Sequence, residues 1–185
     1  MTVGSLFICV SPVIGPSWGL IRNRPTALAL SRQKLPILAE SEERSSAGVR
    51  RGGYLFYETP GGPAELLLIA TGSEVALAMD GLKLLEQKGL HVRLVSMPSW
   101  ELFAEQSASY RESLLPSHIR ARLAVEAAAP LGWERFVGLQ GAVLGMNGFG
   151  TSAPAEDLAR HFGFTPEKVA ARALDLLAQL GVGEA

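Results

Sequence analysis

Arg32 lies in Ser31-Arg32-Gln33-Lys34-Leu35-Pro36, directly after the apolar run PTALAL that opens at Pro25 and reads as a short strand. A guanidinium at a strand end is either a solvated cation or a planar fork placed to take a phosphate or carboxylate, because ligands in α/β proteins are met at strand ends. The six residues alone allow both. Thr71-Gly72-Ser73 stands between the apolar run Glu65–Ala70 and a helical pattern, where free backbone N–H groups and the helix dipole could hold an anion. Its T-x-x-E spacing to Glu74 is also that of an ordinary capping box. Glu126, closing the run RLAVEA, is the best lone carboxylate, and a buried strand-end glutamate serves structure as readily as function.

Other patterns are weaker. Gly148-Phe-Gly150-Thr-Ser-Ala153 matches the G-x-G-x-x-A dinucleotide fingerprint, but it comes late in the chain, and a loop needing small residues explains it as well. The three histidines, His91, His118 and His161, are far apart and lack the cysteine or carboxylate spacing of a zinc site. No G-x-S-x-G, P-loop or H-E-x-x-H occurs. Trp100, Phe103 and Trp133 are read as packing residues of a core or an interface.

The elements that position these groups alternate. Residues 53–58, 65–70, 91–97, 122–127 and 142–146 read as strands, the second and fourth as runs buried on both faces. Helical patterns run from Ser73 to about Lys88, where Gly89 stops them, then from Pro98-Ser99, over Tyr110–Leu115, and near Gly132–Phe136. Two more open at Ser152 and at Thr165-Pro166, the last with a threonine cap and a first-turn proline. This order predicts an α/β fold with a mostly parallel, mixed sheet and helices on both faces.

The polar, small-residue stretch 40–49 is expected to be an exposed linker. The first 23 residues are apolar and carry no charge before Arg22, yet Pro12, Gly15 and Pro16 break them, so neither a signal peptide nor a membrane span is expected. A weak strand at SLFICV fits there. A net charge of −1 with scattered basic residues points away from nucleic acid. The single cysteine, Cys9, excludes an internal disulfide and fits a reducing, cytoplasmic location.

The phrases RPTALALSRQKLP, GGY, LLIATGSEV, VRLVSMPSWELF, YRESLLP, VEA, GWERFVG and FGTSAPAEDL occur together and in order. Over residues 24 to about 180 the chain resembles the C-terminal part of transketolase. The resemblance implies that 24–39 form the last strand and exit of a pyrimidine-binding domain, and that 50–185 form a complete C-terminal domain after the 40–49 linker. It implies a thiamine diphosphate enzyme with a divalent cation, magnesium or calcium. Such an enzyme moves a two-carbon ketol unit from a ketose phosphate to an aldose phosphate, in the pentose phosphate pathway or Calvin cycle, as a homodimer.

The family's cofactor-binding and catalytic segments, including its G-D-G, precede the part represented here, so the resemblance implies no catalytic, cofactor or metal residue in this chain, which alone is expected to be inactive. Arg32 alone carries over, as the arginine of S-R-Q that contacts sugar phosphate. Residues 1–23 do not match what precedes R-P-T in the family, which suggests a truncated product or one subunit of a split thiamine-dependent enzyme, completed by the remaining segments or a partner subunit. The family's F-G-A-S-A-P stands here as Phe149–Pro154 with Thr151, and its E-A-G as Glu126-Ala127-Ala128. The competing expectation is a stand-alone binding or assembly module on the same domain.

Overall fold

The computed structural model describes residues 47–182 continuously, together with Leu35, Pro36, Leu38, Ser45 and the backbone of two short strands, β1 (Ser5–Ile8) and β2 (Thr26–Ala29). These two pair in parallel, Ser5 opposite Thr26 and Ile8 opposite Ala29. The main sheet holds β3 (Tyr54–Glu58), β4 (Leu66–Ala70), β5 (Val92–Ser96), β6 (Ala121–Val125) and β7 (Ala142–Leu144) in the order β3-β5-β4-β6-β7. Only β3 runs antiparallel, so the sheet is mixed and mostly parallel, as its strand–helix alternation requires.

The central strand β4 explains the layering. All five of its side chains are fully buried, and they alternate between two cores. Leu66, Leu68 and Ala70 face one core with α1 (Glu74–Glu86) and α6 (Pro166–Gln179), through Leu82, Leu85, Val169, Leu176 and Leu177. Leu67 and Ile69 face the other, with α2 (Trp100–Ala104), α3 (Ala108–Leu114) and α4 (Glu134–Val137), through Phe103, Leu114, Trp133 and Phe136. A remaining helix, α5 (Ala155–Phe162), has no buried residue.

The helix signals act as their chemistry predicts. Thr165 caps α6 by accepting from the Lys168 N–H at 3.3 Å, and Ser99 caps α2 by accepting from Leu102 N–H at 3.3 Å. Gly89 ends the turn after α1 at φ 83°. Where α1 and α6 cross, Gly81 admits the neighbouring helix: a Cβ there would lie 2.7 Å from Val169 Cγ1. The sheet edge is stitched by Arg93, whose Nε and Nη2 donate to the two Glu58 carboxylate oxygens at 2.8 and 3.1 Å across β5 and β3.

Two expectations fail. The stretch 40–49 is not an exposed linker where it is described: residues 47–49 are helical, and Ser45, Gly48 and Val49 are buried. Small residues there allow close approach rather than freedom, since a Cβ on Gly48 would fall 2.4 Å from Tyr54 Cβ. The Thr71–Glu74 capping box does not form either. Ser73 occupies the cap in helical geometry, without a side-chain cap bond, and its Oγ donates to Glu74 Oε1 at 2.8 Å. A tight turn takes over the job, with Glu74 N–H donating to Thr71 C=O at 3.1 Å and Gly72 at φ 58°.

Candidate functional site

The parallel strands β4, β5 and β6 end together. From β4 the chain passes to α1 on one face, and from β6 it passes to α4 on the other, so the loops diverge and leave a crevice between them. Such a switch point is where open α/β sheets receive ligands. The crevice encloses about 190 Å³, walled by Met97, Pro98, Trp100 and Trp133, with Thr71, Glu101 and Glu126 as its polar groups.

Each polar group is placed by a strand end. Thr71 follows β4, is 3% exposed, and its Oγ1 has no hydrogen-bond partner among the described residues. Glu126 follows β6 with its N–H bound to the Leu144 carbonyl at 3.0 Å, which fixes the backbone beside β7. The residue is 7% exposed, and burial, with the Glu74 charge as a second cause, pushes its carboxyl up to about 8. Glu74 is itself raised by burial, against the bonds from Ser73 and the Ala127 backbone that favour its charge. Glu101, in the first turn of α2, accepts from Ser99 Oγ at 3.0 Å.

The aromatic wall is closely packed. Trp100 and Trp133 meet edge to face with centroids 5.0 Å apart, and Phe136 touches both. Arg135 stacks its guanidinium 5.2 Å from the Trp100 ring centroid. Behind them Arg122 donates to four carbonyls, those of Ile119, Phe136, Leu115 and Pro116, at 2.8 to 3.2 Å. It thereby ties the end of α3 to the end of α4. On the other side of Glu74, Leu77, Met146, Leu158, Phe162 and Phe164 line an apolar groove of about 410 Å³.

The residues singled out from sequence are partly brought together. Glu126 and Thr71 share the crevice, and Trp100 and Trp133 wall it. An anion at Thr71-Gly72-Ser73 is opposed by Glu74, Glu101 and Glu126 around that helix start, and no Lys, Arg or His lines the crevice. The fingerprint at 148–153 is exposed loop, and α5 begins only at Ala155, so there is no tight strand–turn–helix to cradle a pyrophosphate. His118 and His161 are exposed, and among the described residues no three His, Cys, Asp or Glu side chains are grouped for a metal. Trp133 and Phe103 are core residues, whereas the large apolar side chains exposed among the described residues are Leu131, Leu139 and Phe149. Arg32 lies outside the described residues.

Sequence reasoning missed Glu74 and Glu101 as neighbours of Glu126. Each is a first-turn residue of a helix that follows a buried strand, which is the signal that could have found them.

A mixed, mostly parallel sheet covered by helices on both faces, with a crevice at its switch point, defines a doubly wound α/β domain. Residues 52–165 match the transketolase-like TK C-terminal domain, and the chain belongs to that family. It is 49% identical over 156 residues to a transketolase of Halalkalibacterium halodurans, covering 84% of this chain and 23% of that protein. It is 47% identical over 147 residues to one of Staphylococcus epidermidis, covering 80% and 22%. Among solved structures, transketolase from Leishmania mexicana superposes with a TM-score of 0.77 at 41% identity, over 88% of this chain and 23% of that one. Campylobacter jejuni transketolase gives 0.80 at 33%, over 92% and 26%. The chain thus spans under a quarter of the length of the curated relatives it matches.

Proposed function

We propose that this chain is the C-terminal portion of a transketolase, which moves a two-carbon ketol unit between sugar phosphates once the remaining segments are supplied. The observation that carries the reading is the family match over residues 52–165, extended by near-half identity to a transketolase over 156 residues. A transketolase of Pichia stipitis, 38% identical over 85% of this chain, has been solved in complex with sedoheptulose 7-phosphate, which supports sugar phosphates as the substrate class. Within this reading, residues 24–39 close a pyrimidine-binding domain, residues 50–185 form the C-terminal domain, and Arg32 binds the substrate phosphate. The working enzyme is a homodimer in the cytoplasm.

The chemistry rests on groups this chain does not contribute. Thiamine diphosphate with magnesium or calcium supplies the carbanion chemistry in the completed enzyme. No Gly-Asp-Gly occurs in the sequence, and the described residues present no grouped metal ligands. No catalytic step is therefore assigned to the described residues. A complementary chain would bring the cofactor site. A split-gene transketolase, solved as an inactive β4 tetramer, is similar in fold at 18% identity.

Complementation tests the proposal. The chain, mixed or fused with a transketolase lacking its own C-terminal part, should restore ketol transfer from a ketose phosphate to an aldose phosphate. A soluble complex without transfer would overturn it.

A further inference from the structure

The crevice between β4 and β6 contains groups to which the proposed function assigns no role. Thr71 is almost fully buried in its wall with a hydroxyl that has no partner among the described residues. Glu126, a residue 7% exposed, lines the same crevice from the end of β6. Buried polar atoms are nearly always bonded, so the orphaned Thr71 hydroxyl beside a strand-end carboxyl marks a place where a third party completes the set. The cavity of about 190 Å³ has room for about six waters, or a molecule of similar size, at about 30 Å³ each.

The chemistry of the walls selects the ligand. Its polar groups are two carboxyls and a hydroxyl, and none of its lining residues is basic. An anion drawn to the start of α1 would meet the carboxyl of Glu74 in the first turn as well as those of Glu101 and Glu126. A cation with an apolar stem meets carboxylates at one end and Met97, Pro98 and two indoles at the other. We propose that this crevice binds a small primary ammonium compound, its nitrogen held by Glu126, Glu101 and the Thr71 hydroxyl, and its hydrocarbon against Trp100 and Trp133.

Such a site has a pH signature. Glu126 holds its proton at neutral pH because burial and Glu74 disfavour its charge, and the cation requires it ionised. The charged groups around it are Glu74 on α1, Glu101 on α2, and Glu134 and Arg135 on α4. Glu134 accepts from Gly132 N–H at 2.7 Å, and Arg135 is stacked on Trp100, so neither is free to follow the ligand. Binding therefore expels one proton, and affinity rises about tenfold per pH unit below the Glu126 value and levels off above it.

The test is a tryptophan-fluorescence titration of the full 185-residue chain with n-propylammonium chloride. Comparators are 1-propanol and sodium phosphate at matched ionic strength. A saturable response to propylammonium alone, steepening with pH as described, is expected. Glu126→Gln should weaken it at least about tenfold and Thr71→Val about threefold to tenfold, each with an unchanged circular dichroism spectrum. Thr71→Val decides the matter should Glu126→Gln fail to fold. An equal response to 1-propanol, a phosphate response that survives Glu126→Gln, insensitivity to both substitutions, or no saturation would each overturn the proposal. The readout is binding to the chain alone, so its failure leaves the ketol-transfer reading standing, and the reverse.

Discussion

Replacing Glu126 with glutamine should reverse its effect on stability between mildly acid and mildly alkaline solution. The carboxyl rises from an ordinary 4.5 to about 8 in the folded chain because it is buried beside Glu74. A carboxyl raised on folding holds a proton that the unfolded chain releases, so the folded state gains fully below the unfolded value and loses the gain as pH climbs through the folded one. The gap between those values, at about 1.4 kcal/mol per unit, gives an upper bound of about 5 kcal/mol. The crevice is partly open to water, which hydrates the ionised form, so about 2–3 kcal/mol is the expected loss between about pH 5 and pH 8.5. Glu74 is raised as well and adds in the same direction. Glutamine cannot ionise and keeps the shape. Urea unfolding of both chains at about pH 5.5, 7 and 8.5 should show wild type losing ground on Glu126→Gln by about 2–3 kcal/mol as pH rises. A difference that does not change with pH refutes the reasoning, for it would mean that the carboxyl is solvated in the folded chain.

Gly81→Ala should destabilise the fold by about 1–2 kcal/mol even though alanine is the better helix former by about 1 kcal/mol, because the added methyl collides with Val169 where α1 crosses α6; a raised melting temperature would count against the crossing. Arg122→Met should cost about 3 kcal/mol by chemical denaturation, since it removes the guanidinium bonds to four carbonyls that close the loops around the aromatic wall, of which that of Pro116 also accepts from the Ile119 N–H, with Arg122→Lys in between. In a completed enzyme, Arg32→Ala should lower kcat/KM about ten- to a hundredfold for a phosphorylated acceptor while sparing glycolaldehyde. Equal losses for both acceptors would make Arg32 a structural residue.

The sheet was legible because its signals are local and redundant. Leu66–Ala70 is apolar at every position, which only a strand covered on both faces tolerates, and Ser99 and Thr165 cap helices with bonds confined to a few residues. Reading failed where one pattern serves two structures. Thr71-Gly72-Ser73-Glu74 spells a capping box, but Gly72 at positive φ turns the chain so that Ser73 takes the cap and Thr71 is left in the crevice wall. The small residues before Val49 read as slack chain, because nothing in their spacing announces that Tyr54 will lie against Gly48.

The crevice was half legible for the same reason. Glu126 stood out as a carboxylate at a strand end, but what makes it unusual is distance in space to Glu74, a residue 52 positions earlier that the sheet order alone brings close. Two buried carboxyls sharing a site cannot both ionise cheaply, so a fold that keeps them without a cation between them holds electrostatic strain. Helix α1 relieves part of it, because its N-terminal dipole favours the charge of Glu74 in its first turn. Glu126 is left without such compensation, and it lines a crevice without basic side chains. Strain placed at a switch point, and relieved by a bound cation, ties the stability of this domain to occupancy of the crevice. Saturating propylammonium should therefore raise the melting temperature more at about pH 8.5 than at about pH 6, and the Glu126→Gln chain should show no such difference.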